Sequence, residues 1–324
     1  MDAGDRELFE RSLRAATERC SGADLDAALA DLGWREALAD DRRIAVSLLF
    51  ELQGGATATS SALGLVMLDA LGLDDDLDDA AVVLPAIGSA EPPGVLRDGR
   101  LSVAGLLTTP SYGPDTVLVV ARDGEGEDAA VVAVRVDVER LDRRDVHGID
   151  PWLALAEISG EGIEPAVPPQ GVTGWPDAVA EARLALGHEL VGASRTMLAL
   201  ARDHALERIQ FGRPIATFQA VRHRLADTLV AVESAAALLD AAWLDGSPAT
   251  AAMAKAMAGR AGRTAARHCQ QVLAGIGFTT EHGFHRSFRR VLVLDELFDS
   301  ARTLTASLGA DLLATRRLPP LLSL

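Results

Sequence analysis

The sequence predicts a mainly α-helical protein with one small β-domain in its middle, and three observations carry that reading. From Trp175 onward, apolar residues recur at helical spacing over many turns, longer than an average globular helix and as expected of an antiparallel bundle. Residues 80 to 168 change texture to short β-branched runs separated by glycine and proline. Residues 4 to 73 have helical spacing again, punctuated at Gly22, Gly54-Gly55 and Gly72. The expected order is an N-terminal helical domain over 1–79, a short antiparallel β-domain over 80–170, and a C-terminal antiparallel four-helix bundle over 171–324.

In the first region the helical segments are 7–20, 23–32, 42–52 and 59–71, with the glycines as breaks. The acidic run Asp74-Asp75-Asp76-Leu77-Asp78-Asp79 then marks a solvated boundary. In the second, the clearest strands are Ala81-Val82-Val83-Leu84, Thr116-Val117-Leu118-Val119-Val120 and Ala130-Val131-Val132-Ala133-Val134. Gly124 and Gly126 suit a hairpin between the last two, and Pro165, Pro168 and Pro169 close the region. The bundle helices are expected at 175–204, 218–244, 248–273 and about 284–312.

Composition narrows the function classes. A formal net charge of -16 argues against a nucleic-acid binder, which needs clustered cations. No run of about 18 apolar residues predicts a membrane span. The start, Met1-Asp2-Ala3-Gly4-Asp5, is acidic and lacks the basic-then-apolar order of a secretion signal, so a cytoplasmic location is expected. Cys20 and Cys269 lie far apart and read as two reduced thiols. Lys255 is the only lysine, and the arginine and alanine bias reads as a GC-rich genome rather than a function. The seven histidines show no metal-ligand spacing.

Chemistry concentrates on one corner, Arg208-Ile209-Gln210-Phe211-Gly212-Arg213-Pro214-Ile215, followed by Phe218-Gln219. Gly212 and Pro214 break the helix. A loop that only reversed the chain would not need a phosphate-gripping Arg, a hydrogen-bonding Gln and an aromatic cover at one point. An isolated Arg208 would read as a helix C-terminal cation, but its company favours a ligand.

The pattern R-x-Q-F-G-x-P-I-x-x-F-Q resembles the flavin-binding corner of the acyl-CoA dehydrogenase family. Two further patches agree in spacing: Gln271-Val272-Leu273-Ala274-Gly275-Ile276-Gly277, similar to the family's Q-x-x-G-G-x-G turn with Ala274 in place of its first glycine, and Thr280-Glu281 with Arg289. Asp31-Leu32-Gly33-Trp34 and Leu68-Asp69-Ala70-Leu71-Gly72 are weaker echoes. The resemblance implies that Arg208, Gln210, Phe211, Ile215, Phe218 and Gln219 contact FAD held mainly by a neighbouring subunit. It also implies that Gln271 and Gly275 approach the adenosine half, where a Cβ would obstruct backbone and ligand.

The same resemblance exposes a departure. The family removes an α-proton with a glutamate whose pKa a dry pocket can raise; its two alternative positions fall here at Phe298 and Ala182. Neither can take a proton, so no catalytic residue is assigned. Glu181, Glu296 and Asp299 are nearby carboxylates, of which Glu296 is the best placed, and each needs a register shift. The family's T-E-P-x-A-G-S-D segment survives only as a degenerate Leu84-Pro85-Ala86-Ile87-Gly88-Ser89-Ala90-Glu91, whereas Asp98-Gly99-Arg100-Leu101-Ser102 and the run 115–121 resemble later strands. The half that would hold the chain's own flavin is eroded and the half that reaches a neighbour's is kept.

That asymmetry implies work beside a paralogous subunit carrying the glutamate base. Hetero-oligomers of this kind in actinobacteria act on steroid-derived CoA thioesters. An acyl-CoA substrate and an electron-transfer flavoprotein would follow from the family. Two other readings stay open: a self-sufficient flavoenzyme using Glu296 or Asp299, and a flavin-free structural or interaction protein.

Overall fold

Two helices meet backbone against backbone at the centre of the bundle. The computed structural model describes residues 3–73, 81–108, 115–124, 126 and 129–316. In it α4 (Arg42–Ala56) packs on α6 (Trp175–Glu207) with a glycine on each side of the contact. A Cβ on Gly54 would lie 2.0 Å from the Glu189 carbonyl oxygen, and one on Gly192 would lie 1.9 Å from that of Glu51. Only glycine permits this approach. Gly54-Gly55, expected to end a helix, therefore lie inside α4 and serve packing.

The chain forms two compact units. The first comprises Met1–Arg42, Ala58–Ala182 and Glu296–Asp299; the second comprises Arg43–Thr57, Arg183–Asp295 and Ser300–Leu324. In the first are α1 (Ala3–Arg19), α2 (Ala23–Asp31), α3 (Trp34–Asp40) and α5 (Ala62–Leu71). Helix α3 has no counterpart in the sequence reading, because seven residues are too short for a periodic signal. Gly33, at φ 68°, turns the chain into it, and Trp34 and Leu38 are buried from it. The acidic run 74–79 lies outside the described residues.

The sheet of this unit is built from β1 (Ala81–Val82), β2 (Leu84–Pro85), β3 (Gly94–Arg97), β4 (Arg100–Thr108), β5 (Thr116–Asp123), β6 (Ala130–Asp137), β7 (Asp142–Asp145), β8 (Leu155–Ile163) and β9 (Gln170–Gly171). Its main path is β7-β8-β4-β3-β5-β6-β9, with β1 on β5 and β2 on β4. The expected β5–β6 hairpin forms in full register from Thr116↔Asp137 to Asp123↔Ala130. The sheet is mixed rather than purely antiparallel, since β1 and β3 both run parallel to β5. Strand β3 takes β4 on one side through the Asp98-Gly99 turn, both residues at positive φ, and β5 on the other. Local texture reveals such a turn but not which strands pair across distance. Alternate residues of β4, among them Leu101 and Val103, join Val119 of β5 in the sheet's core.

The second unit holds α4 beyond its first residue, α6 from Arg183, then α7 (Gln219–Asp245), α8 (Pro248–Leu273), α9 (Phe284–Glu296 less its last residue) and α10 (Ala301–Thr315). Helix α8 has the bounds the sequence predicts, because Ser247 caps it by accepting from the Thr250 amide at 3.2 Å and Pro248 opens its first turn. Its small residues admit close neighbours: a Cβ on Gly262 would meet Val291 of α9 at 2.7 Å. Helix α7 buries one narrow stripe, Thr228, Val232, Ala235, Leu239 and Ala242. The single helix expected over 284–312 is two. Phe298 and Asp299, at φ 54° and 72°, leave helical space, and Ser300 caps α10 on the Thr303 amide at 3.3 Å. No helix of the described residues is long and apolar enough to cross a membrane.

A buried ion pair and a buried histidine sit in the second unit. Arg290 and Glu189 are both withdrawn from water and pair at 2.9 Å; Gln53 donates to the other Glu189 oxygen at 3.3 Å, and Arg290 donates to the Thr57 carbonyl at 3.2 Å. His188 accepts from the Trp243 indole at 3.1 Å, and burial lowers its pKa from 6.5 to about 4, so it is neutral.

Substituting Gly54 or Gly192 by Ala should destabilise the protein by about 3 kcal/mol through overpacking. Gly309→Ala, in α10 with open space around it, should stabilise it by about 0.5–1 kcal/mol. Urea unfolding of the three variants separates these outcomes, and equal effects would refute the close crossing. A pH series tests His188. The unfolded side chain takes a proton below about 6.5 and the folded one only below about 4. Its contribution is complete above the first value and lost as pH falls toward the second, about 3 kcal/mol in all. His188→Gln should flatten that segment of the stability–pH curve.

Candidate functional site

The corner between α6 and α7 is a miniature hairpin. Strand β10 (Ile209–Gln210) pairs with β11 (Arg213–Pro214), matching Gln210 to Arg213 and Ile209 to Pro214. Phe211 and Gly212 make the two-residue turn at φ 53° and 76°. Positive φ at both places is the geometry that such a tight hairpin requires, and for a bulky residue it is strained. The Ile215 amide closes the loop on the Arg208 carbonyl at 2.8 Å, and a 3₁₀ turn, Ile215–Thr217, leads into α7.

Side chains on this corner face outward. Phe211 is 91% exposed, and Arg208, Gln210 and Gln219 are exposed, with Ile215 and Phe218 half-buried. The Phe211 and Phe218 rings meet edge to face, centroids 6.0 Å apart. The Arg213 guanidinium stands 4.4 Å over the Phe218 ring, a cation–π contact that the sequence reading did not anticipate. Burial pushes the His204 pKa down, and the nearby charges of His282 and Arg208 push the same way. The corner thus offers an anion-gripping cation, an amide and an aromatic edge with few partners in its own chain.

Gln271 and Gly275 sit at the far end of the α7–α8 hairpin from its Gly246 turn, which is the end where α7 begins. His268 fastens that end: its Nδ1 lies 3.2 Å from both the Thr228 hydroxyl and the Arg224 carbonyl. Topology therefore brings the 208–219 corner and the 271–277 turn to one end of the bundle. Gln271 is exposed, and a Cβ added at Gly275 would meet no atom of the chain. Nothing in the chain's own packing demands glycine there. Ala274, by contrast, is held at φ 52°, ψ −131°, a conformation that suits glycine and strains alanine.

The two positions at which the resemblance would put the family's base are apolar and buried: Ala182 in α6 and Phe298 in the α9–α10 break. Of the neighbouring carboxylates, Glu181 is gripped by Arg42 through both its oxygens, at 2.8 and 2.7 Å, and Arg42 also pairs with Asp69. Burial pushes the Glu181 carboxyl up, against the pull of Arg42. Glu296 and Asp299 are half-buried, and the Glu296 carbonyl accepts from the Gly88 amide at 2.9 Å. Beside the break lies a cluster that sequence reasoning missed. Lys255, fully buried, donates to the Asp295 carbonyl at 3.1 Å, while the Asp295 carboxylate binds Arg263 and accepts from the Ala301 amide at 3.1 Å. These partners lie up to 40 residues apart, so no local motif announces them. Elsewhere, an open groove of about 600 Å³ between α1 and α2 includes none of the candidate residues.

Comparison with known proteins gives this geometry a lineage. Residues 170–297 match the family model of the acyl-CoA dehydrogenase C-terminal domain. Acyl-CoA dehydrogenase IpdE2 of Mycobacterium tuberculosis is 31% identical over 298 residues, covering 86% of this chain and 90% of that protein. Benzylmalonyl-CoA dehydrogenase of Aromatoleum aromaticum is 31% identical over 212 residues, 60% of this chain and 56% of its own. Among solved structures, the Tcur3481-Tcur3483 steroid ACAD superposes with a TM-score of 0.79 at 24% identity, covering 97% of this chain and 98% of that one. The ChsE4-ChsE5 complex of Mycobacterium tuberculosis gives 0.79 at 21%, covering 98% and 99%. At these identities the two structures speak for the fold.

Ala274→Gly should relieve the backbone strain and raise stability by about 1 kcal/mol, read as an upward shift of the urea midpoint. An unchanged or lowered midpoint would show that the turn does not hold Ala274 in that conformation.

Proposed function

This chain belongs to the acyl-CoA dehydrogenase family, and from that premise we propose that it is the subunit of a heteromeric, FAD-dependent acyl-CoA dehydrogenase that supplies flavin contacts and no catalytic base. The observation that carries the reading is Phe211. A large aromatic side chain, 91% exposed on a strained left-handed turn, does little for its own fold. It stands beside exposed Arg208 and Gln210 at family spacing.

The residues present suit the cofactor. Arg208 offers a planar fork for a diphosphate oxygen pair, Gln210, Gln219 and Gln271 offer amide donors and acceptors, and Phe211 with Phe218 and Ile215 offers apolar cover. Gly275 leaves room for a ligand to come up against the backbone. FAD bound there, shared with the neighbouring subunit, would supply the hydride acceptor for α,β-desaturation of an acyl-CoA thioester. What this chain contributes is grip and orientation.

Proton removal then falls to the partner. Ala182 and Phe298 have no basic atom, and Glu181 is committed to Arg42. A glutamate-bearing paralogous subunit completes the site, and a steroid-derived CoA thioester is the substrate class, by analogy with the steroid ACAD and the two-protein ChsE4-ChsE5 complex that share the fold. Electrons leave to an electron-transfer flavoprotein, and the complex works in the cytoplasm.

Co-expression with the glutamate-bearing paralogue tests this. The chain alone should purify colourless and gain stoichiometric flavin only in the complex. Arg208→Ala should weaken flavin retention about tenfold or more while helicity stays unchanged. Glu296→Gln and Asp299→Asn should leave turnover within a few-fold, against the 10²–10⁴-fold loss, roughly, that removing a true base produces. A yellow homomer, or a collapse of turnover in Glu296→Gln with normal flavin content, would overturn the reading in favour of a self-sufficient enzyme.

A further inference from the structure

The flavin reading uses Arg208 and leaves five exposed arginines unexplained, four near the same end of the bundle and Arg260 midway along α8. Arg213, Arg222, Arg224, Arg260 and Arg267 take part in no ion pair among the described residues. Elsewhere Arg42, Arg195, Arg263 and Arg290 are all matched to carboxylates. The concentration is visible in the sequence once the fold joins its pieces. Stretches 208–226 and 246–280 contain no Asp or Glu and, beside buried Lys255 and the Asp295-bound Arg263, six arginines, in a chain with 47 acidic and 31 basic residues. Arg222 and Arg224 lie in the first turns of α7 and Arg267 near the end of α8, the two ends that His268 fastens together.

The patch is larger than one nucleotide needs. From Arg260 to Gln271 alone, α8 advances about 16 Å, and a diphosphate engages one or two guanidinium groups. Exposed apolar residues share the surface: Phe278 is 79% exposed, and Met257 and Ile276 are open on α8 and on the turn after it. Arginine with aromatic residues and methionine is the composition enriched in protein interfaces.

We propose that this face docks an acidic surface of a different protein chain, and that its charge bars a second copy of this chain from the same position. The inference rests on the heteromeric reading above and adds the chemistry of the mating surface. A two-fold axis passing through this face would set the patch against itself. Arginine would then face arginine across a partly desolvated contact, and juxtaposed like charges disfavour such a complex. A partner offering carboxylates there matches the charges and is steered toward the patch by its field. The patch selects a heteromer over a homodimer, and Arg260 and Arg267 contribute to it from outside the proposed flavin contacts.

Arg260→Glu with Arg267→Glu tests this, since both residues lie outside the proposed flavin contacts. Affinity for the glutamate-bearing paralogue should fall on the order of 100-fold with unchanged melting, and wild-type association should slow steeply with added salt. A flavin-loaded complex insensitive to both would overturn the proposal and leave the heteromeric reading standing. If no paralogue forms a complex, that reading falls, and the isolated chain decides the inference. Wild type binding poly-L-glutamate at low salt, with the double variant not binding, supports an acidic protein partner. Equal binding by the two, or tighter binding to duplex DNA, overturns it. A Phe278→Cys homodimer that crosslinks through that residue in dilute solution also overturns it.

Discussion

Everything in the second unit hangs on the contact between α4 and α6, where Gly54 and Gly192 remove the side chains that would hold the helices apart. Because the backbones touch, Glu189 is carried into a volume that water does not reach, and a lone carboxylate there would be untenable. Arg290 from α9 answers it, Gln53 from α4 takes its second oxygen, and the Thr57 carbonyl takes the other arm of the guanidinium. One steric fact in two glycines thus fixes three helices by a polar network in which every arm is used. Removing one partner would strand a buried charge, whereas an apolar replacement of the whole set could be tolerated. The network specifies an arrangement more than it adds stability.

That arrangement has a consequence for the surface. Helix α6 is clamped at its middle by α4, so its C-terminal end and the hairpin that follows are presented from a rigid support. Helix α7 leaves the hairpin with one narrow buried stripe and is tied back to α6 through Leu239 against Gly187 and Trp243 on His188. A strained, exposed turn such as Phe211-Gly212 needs this kind of over-determined base.

Legibility in the sequence followed the range of the interaction. Helix α8 was bounded correctly because its stop and start signals, Ser247-Pro248 and the glycine-rich turn after Leu273, are local. The β5–β6 hairpin was legible for the same reason, and the 208–219 corner because unusual residue types crowd into a dozen positions. What depends on contacts across the chain was not legible. Gly54-Gly55 read as a break, since nothing nearby says that Glu189 waits 135 residues later. The parallel pairing of β3 with β5, the Arg213–Phe218 stack and the Lys255–Asp295–Arg263 cluster were missed on the same grounds. The α9–α10 break escaped because its helical spacing continues through Leu297 and Leu304, while Phe298 and Asp299 adopt positive φ that their identities do not advertise.

That break is where physical and functional arguments meet. The resemblance would put the family's base at the position Phe298 fills, and here the side chain is a buried aromatic on a left-handed residue. Asp295, gripped by Arg263 and capping Ala301, and Ser300, capping α10, hold the chain on both sides of it. The loop is thus held firmly on both sides although no proton acceptor stands at 298. A carboxylate placed at 298 would have to ionise where a phenyl ring now excludes water, which burial opposes. Restoring the base would take more than one substitution. On the proposed reading, the absence of a proton acceptor at 182 and 298 and the outward-facing corner are two sides of one specialisation: the interior is a fixed apolar support, and the groups that would meet a flavin lie on the surface.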